Sequence, residues 1–256
     1  MSQTQPLSAE QLIEALRLMG GADSVELKLT VSEGQRYASA AALGIDPLEA
    51  RVRQVFFFDT PDLALNRAGL VVRARRIQGA AADTVVKLRP VDPSTISEDL
   101  RTDPAFNVEV DAMPGGYVCS ASFKGASTNE AVKETAAGGS PIRKLFSKAQ
   151  RAFYAEHAPE GIGLDDLRTL GPISLLKLKY VPEGFDRKLV AELWFYPDGS
   201  RILELSTKCP PGEAFQVAAE TRAFLSARGI DLSSKQQTKT STALQFFARE
   251  LSAAPA

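Results

Sequence analysis

The chain has 256 residues, 44% hydrophobic and 24% charged, with 30 basic against 31 acidic side chains and a net charge of −1. That mixture excludes a disordered chain, and with no global field to draw it to nucleic acid or an anionic membrane surface, any anion must be held locally. Two cysteines far apart, Cys119 and Cys209, form no ligand-spaced cluster, and the lone His157 in a turn-like context gives no material for a histidine triad or a multi-histidine metal site.

No run reaches the roughly 18 apolar residues of a membrane span, and the opening MSQTQPLSAEQL lacks the pattern of a secretion signal, so the expectation is a cytoplasmic chain. P-loop, dinucleotide-binding and nucleophile-elbow motifs are absent. In chain order, Ser8 to Met19 reads as an amphipathic helix, with Ser8 and Gln11 as a capping box, Leu12, Ile13, Leu16 and Met19 as its apolar face, and Gly20-Gly21 as its stop. A strand over Ser24 to Val31 and a short alanine-rich helix over Arg36 to Leu43 follow, then a strongly β-prone run from Val52 to Phe58 that ends in Asp59-Thr60-Pro61. Pro61 to Leu63 begins a turn or short helix; Leu70 to Ile77 and Thr84 to Pro90 read as a hairpin, and Phe106 to Asp111 as a fifth strand.

From Met113 to Leu170 the alternation lapses, and the segment 113–170 reads as an insertion or cap with one helix over Ile142 to Glu156. Strands resume at Ile173 to Tyr180, Lys188 to Tyr196 and Arg201 to Lys208, the last two joined by the turn Pro197-Asp198-Gly199-Ser200. Helices over Glu213 to Arg228 and Thr238 to Leu251, the second with Leu244, Phe247 and Leu251 on one side, finish the chain. The pattern predicts an α+β fold, a closed antiparallel eight-stranded β-barrel with helices packed outside, as one domain over 1–256.

The strands share a signature. Charged residues recur at two-residue spacing: Glu26/Lys28, Arg73/Arg75, Lys87/Arg89, Glu109/Asp111, Lys177/Lys179, and Glu204/Lys208 around Ser206. Side chains two apart on a strand share a face, and the residues between them are mostly apolar. In a closed sheet with helices outside, the charged faces line a polar tunnel able to hold a polyanion and a metal ion. For any single pair, the solvent face of an amphipathic strand explains the same alternation.

Taken in order, the motifs resemble the CYTH family, the triphosphate tunnel metalloenzymes, which include class IV adenylyl cyclases, thiamine triphosphatases and inorganic triphosphatases. Ser24-Val25-Glu26-Leu27-Lys28 stands for the family's ExExK, Phe57-Phe58-Asp59-Thr60-Pro61 for its YFDTP-like turn, Arg73-Ala74-Arg75 for its arginine-rich strand and Lys87-Leu88-Arg89 for its KxR. Asn107 to Asp111, Lys177-Leu178-Lys179, Glu192 and Glu204-Leu205-Ser206 follow in the family's order, over roughly Ser24 to Lys239. Independent solvent faces have no reason to reproduce that order of signs. Two positions depart from the family pattern: Ser24 and Ser206 stand where it has glutamates.

The resemblance implies a triphosphate or polyphosphate small molecule as ligand, with Lys28, Arg73, Arg75, Lys87, Arg89, Lys177, Lys179 and Lys239 on its phosphate oxygens. It implies Glu26, Glu109, Glu192 and Glu204 around a Mg2+ or Mn2+ ion, with Asp111 as a further acid, and Glu26, Lys28 and Glu204 as the catalytic set. Metal-dependent hydrolysis is the leading expectation. Cyclisation of ATP needs the same grip, and loss of the two carboxylates at Ser24 and Ser206 leaves a non-catalytic polyphosphate- or nucleotide-binding module as the alternative outside enzymes. Asp59 reads as a turn former, and Arg151 as the one cap residue able to fold back towards the phosphates.

Overall fold

The computed structural model describes residues 8–232 and 239–253, with side chains to residue 250. The first residues of the opening segment, Thr238 and the side chain of Leu251 lie outside that range. Nine strands close into one barrel in the order β1-β5-β6-β4-β3-β2-β7-β8-β9 and back to β1. They are β1 Ser24–Val31, β2 Arg51–Asp59, β3 Leu70–Ile77, β4 Ala82–Leu88, β5 Phe106–Met113, β6 Gly116–Ser127, β7 Arg168–Tyr180, β8 Leu189–Phe195 and β9 Arg201–Cys209. The helices are α1 Ala9–Gly20, α2 Arg36–Ala42, α3 Ala64–Arg67, α4 Glu98–Thr102, α5 Asn129–Ala136, α6 Lys148–His157, α7 Ala214–Ala227 and α8 Lys239–Ala253.

The expected closed barrel is present, with one strand more than the sequence reading gives and one parallel pair, β1 with β5, in an otherwise antiparallel sheet. The added strand is β6, inside the segment read as a cap. Its inward positions carry Ser120 and Ser122 where other strands carry charges, so the two-residue charge rule passes over it, although Cys119, Ala121 and Phe123 alternate as buried outward residues. Only the stretch beyond β6 is helical, and α6 opens on a capping box of Ser147 and Gln150.

Alternation sorts the side chains of each strand. Val25, Phe56, Phe58, Val72, Ala74, Val86, Val108 and Val110 face outwards into a core shared with α1 and α6. Around it Phe106, Phe123 and Phe153 form an aromatic cluster with ring centroids 5.0 to 5.8 Å apart. The opposite faces of the same strands carry Val55, Phe57 and Val71, which with Leu170, Ile173, Trp194 and Ile202 make an apolar floor covered by Ala243 and Leu244 of α8. One end of the barrel interior is therefore filled with hydrocarbon and the remainder with charge.

One local outcome differs from the periodicity, the buried face of α1, and one agrees, the turn at Asp59. The capping box of α1 is present, with Ser8 N donating to Gln11 Oε1 at 2.9 Å and Gln11 N donating to Ser8 Oγ at 3.2 Å. The face it buries is Ala15, Leu18 and Met19, and Leu12, Ile13 and Leu16 are left exposed at 40 to 67%. Asp59 does form a turn: its buried carboxylate accepts from the backbone N–H groups of Thr60, Leu65 and Asn66 at 2.8 to 3.0 Å, which fixes the exit of β2. Both cysteines are buried and free.

Candidate functional site

The inward face of β1 begins the charged interior. Lys28 Nζ lies 2.7 Å from Asp111 Oδ1 and 3.1 Å from Glu26 Oε2, while Ser206 Oγ donates to Glu26 Oε1 at 2.9 Å. Lys208 reaches Glu109 at 2.5 Å, and Lys87 stands 3.7 Å from the second oxygen of Asp111. The register explains this cluster: Glu26 is opposite Lys208 on β9 and Asp111 on β5, and Ser206 is opposite Lys28. Glu26, Glu109 and Asp111 thereby bring carboxylate oxygens within 4.8 Å of one another. That set of hard oxygen donors suits Mg2+ or Mn2+.

Burial opposes ionisation of Glu26 and Asp111, yet the neighbouring ammonium groups outweigh it and hold both carboxyls below their ordinary values. Lys28 is the counterpart: burial lowers its pKa, and Asp111, Glu26 and Glu204 more than reverse that. All three stay charged because each is desolvated beside its opposite.

A second cluster lies further along the barrel. Lys177 and Lys239 both bind Glu192, each at 2.5 Å, and Lys239, at the start of α8, also reaches Glu204 at 2.6 Å. Trp194 Nε1 donates to Glu192 Oε2 at 3.1 Å, and its ring lies 5.1 Å from the Lys239 ammonium. Burial works against charge on both acids. Glu192, with two ammonium partners, is nonetheless held well below the usual carboxylate range, whereas Glu204, sharing Lys239 with it, is pushed up.

The wall formed by β2, β3 and β4 is basic. Arg75 makes a bidentate pair with Asp83 at 2.7 and 2.8 Å. Arg73, one inward position away, is buried with its Nε unpartnered, and burial together with Arg75 lowers its pKa to about 10. Arg53 of β2 has the same character, its Nε buried and unpartnered and its pKa lowered by burial and by Arg75. Lys87 and Arg89 are lowered by burial as well. Gly69 places Arg89: at φ +77° its own N–H side is free of a Cβ that would come within 2.4 Å of the Arg89 carbonyl oxygen, and Arg89 N donates to Gly69 O at 2.8 Å. Buried guanidinium N–H groups without partners are donors waiting for an anion.

The structure thus separates the four acids expected around one ion. Glu26 and Glu109 lie together with Asp111, whereas Glu204 is opposite Thr30, four residues along β1 from Glu26, and Glu192 is its neighbour on β8. Four strand residues span about 13 Å. Of the basic residues, Lys28, Arg73, Arg75, Lys87 and Lys177 share the inward face; Lys179 on that face of β7 is exposed. Arg151 does not turn inwards, and its guanidinium donates to the Phe146 carbonyl on the outer side.

Sequence reasoning passed over Arg53 and Lys124. Arg51 and Arg53 carry the same two-residue spacing as the other basic pairs, hidden at the start of an aromatic run, and Lys124 falls inside the segment read as a cap but lies on β6.

No family model matches the sequence, and no curated relative does. Solved structures do match. HpAC1 from Hippeastrum, described as an adenylyl cyclase candidate that reveals a dominant triphosphatase activity, aligns at TM-score 0.63 and 19% identity over 86% of this chain and 95% of that one. The bh2851 protein of Bacillus halodurans, described as an adenylate cyclase candidate, aligns at TM-score 0.59 and 14% identity over 86% of this chain and 98% of that one. At these identities the likeness is one of fold, and it agrees with the CYTH-type tunnel that the motif order implies.

Proposed function

We propose that the chain is a divalent-cation-dependent triphosphatase acting on a linear triphosphate held in the barrel interior. The observation that carries this reading is the opposition of two walls: guanidinium groups at Arg53 and Arg73 whose Nε atoms are buried and unpartnered, facing a barrel side on which Glu26, Glu109 and Asp111 gather their oxygens. Arg73, Arg75, Lys87 and Arg89 bind phosphate oxygens and neutralise their charge, with the exposed Lys179 on the same face and Lys177 and Lys239 fixing the deep carboxylates. Glu26, Glu109 and Asp111 would hold Mg2+ or Mn2+, which supplies charge neutralisation at the terminal phosphoryl group and an activated water. Lys28 stands between carboxylates and phosphates and holds the developing charge. Glu204, its pKa raised by burial, is the interior carboxylate best matched to accept a proton. The buried free cysteines fit a reducing compartment, the cytoplasm.

The test is phosphate release from tripolyphosphate, ATP and thiamine triphosphate with Mg2+ or Mn2+, beside a Glu26→Ala control. Metal-dependent release that falls on the order of 100-fold in the control is the expected result. A second reading has its own observation: Lys28, Lys208 and the Ser206 hydroxyl already occupy the carboxylates, as a metal-independent anion-binding module requires. Binding of all three anions without release, unchanged by metal, selects that reading, and cyclic AMP formed from ATP selects a cyclase.

A further inference from the structure

Outside the barrel the two apolar cores that flank β1 leave a gap between them. Val25 is fully buried against the first and Leu29 is 7% exposed against the second, but Leu27 between them is only partly buried. The reason lies in α7. Where it crosses the β1–β9 ladder it presents Ala214, Ala218 and Ala219 instead of large side chains, and short side chains cannot fill the space above Leu27 and Leu205. The result is a cavity of about 630 Å³, walled further by Met19 of α1 and Met113 at the end of β5. That volume is in the range of small-molecule sites.

Its polar residues are two cations and a few hydroxyls. No carboxylate among the described residues lines the cavity. Of its two cations, Lys28 turns its ammonium into the barrel towards Glu26 and Asp111. The other, Arg222 on α7, makes no ion pair among the described residues, and beside it Thr221 Oγ1 is buried without a protein hydrogen-bond partner. An apolar trough with one exposed guanidinium at its rim and one orphaned hydroxyl complements a molecule with a hydrocarbon body and a single anionic end.

We propose that this groove binds an aliphatic carboxylate, its chain lying over Leu27 and Leu205 and its head on Arg222 and Thr221. The site is separate from the tunnel and stands whether or not the chain hydrolyses triphosphates.

Calorimetric titration of the full chain with straight-chain carboxylates of increasing length, kept below their micelle concentrations, and with the matching primary alcohols tests it. Affinity should rise about fourfold per added methylene until the cavity is full. Carboxylates should bind at least about tenfold tighter than the alcohols, and Arg222→Gln should erase that preference while leaving alcohol binding in place. Ala218→Phe, which fills the trough, should abolish both, and Ala219→Phe repeats the test on an exposed position if the first variant fails to fold. Absence of binding by any chain overturns the proposal, as does binding that survives either filled variant. Equal affinity for alcohol and carboxylate overturns the assignment of the anionic end.

Discussion

Two walls of one barrel treat charge in opposite ways. Along β1, β5 and β9 every buried acid has an ammonium or hydroxyl within hydrogen-bonding reach, and Glu26 and Asp111 are held ionised. Along β2, β3 and β4 the charges are mostly of one sign, Arg75 has Asp83 at 2.7 Å while Lys87 has only Asp111 at 3.7 Å, and burial lowers the pKa of Arg53, Arg73, Lys87 and Arg89. A satisfied wall contributes structure; an unsatisfied one stores affinity, because an incoming anion repairs a desolvation cost already incurred in folding. Polar interiors with both walls paired would have little to offer a ligand.

Removing the least satisfied cation should therefore have the largest effect on binding and little on stability. Arg73→Ala is expected to weaken tripolyphosphate binding by roughly 100-fold, the scale of a lost pair of charge-assisted hydrogen bonds, with the unfolding midpoint unchanged or raised. Calorimetry and urea unfolding on the same variant check both halves, and unchanged affinity would break the comparison outright.

The opposite signature belongs to the paired cluster. Lys239→Met strands Glu192 and Glu204 beside a single ammonium and should cost about 3 kcal/mol in urea unfolding, with Glu204→Gln in the same chain recovering part of it. The pH dependence follows the same residue. Because Glu192 titrates well below 4.5 in the folded chain, it contributes stability above that value which is lost as pH falls through its lowered pKa, so Lys239→Met should flatten the acid limb of the stability curve.

Arg53 sharpens the comparison at smaller scale. Being half-buried at the edge of the basic wall, it should weaken tripolyphosphate binding about tenfold on replacement by alanine, and bind a shorter diphosphate with little change. The smallest effect is protonic. Burial and Arg75 lower the pKa of Arg73 to about 10, and an anion beside it favours the charged form, so tripolyphosphate binding near that pH should take up a proton. Titrations in buffers of different ionisation enthalpy measure that uptake, which should vanish in Arg73→Ala.

Much of this was legible in the sequence. Alternation located β1 and β3 to the residue, because each strand has one face committed to hydrocarbon and one to charge and a period of two is unambiguous there. Where the inward face is serine, as in β6, the same rule falls silent. On α1 the periodicity named a face, but Leu12, Ile13 and Leu16 lost the competition for burial to Ala15 and Leu18, since the barrel's outer wall and not the helix decides which stripe is covered.

By itself the sequence determined the closed polar-lined barrel, the turn at Asp59 and the set of charges facing inwards, all consequences of local spacing and chain chemistry. Only the tertiary structure decided how those charges pair. Register set Glu26 against Lys208 and Asp111 and left Arg73 without a carboxylate partner among the described residues, and the docking of α8 delivered Lys239 to Glu192 and Glu204. Pairing depends on which strands become neighbours, and separations of tens to hundreds of residues carry no periodic signal; charge energies, falling off with distance and burial, are fixed only when the sheet closes.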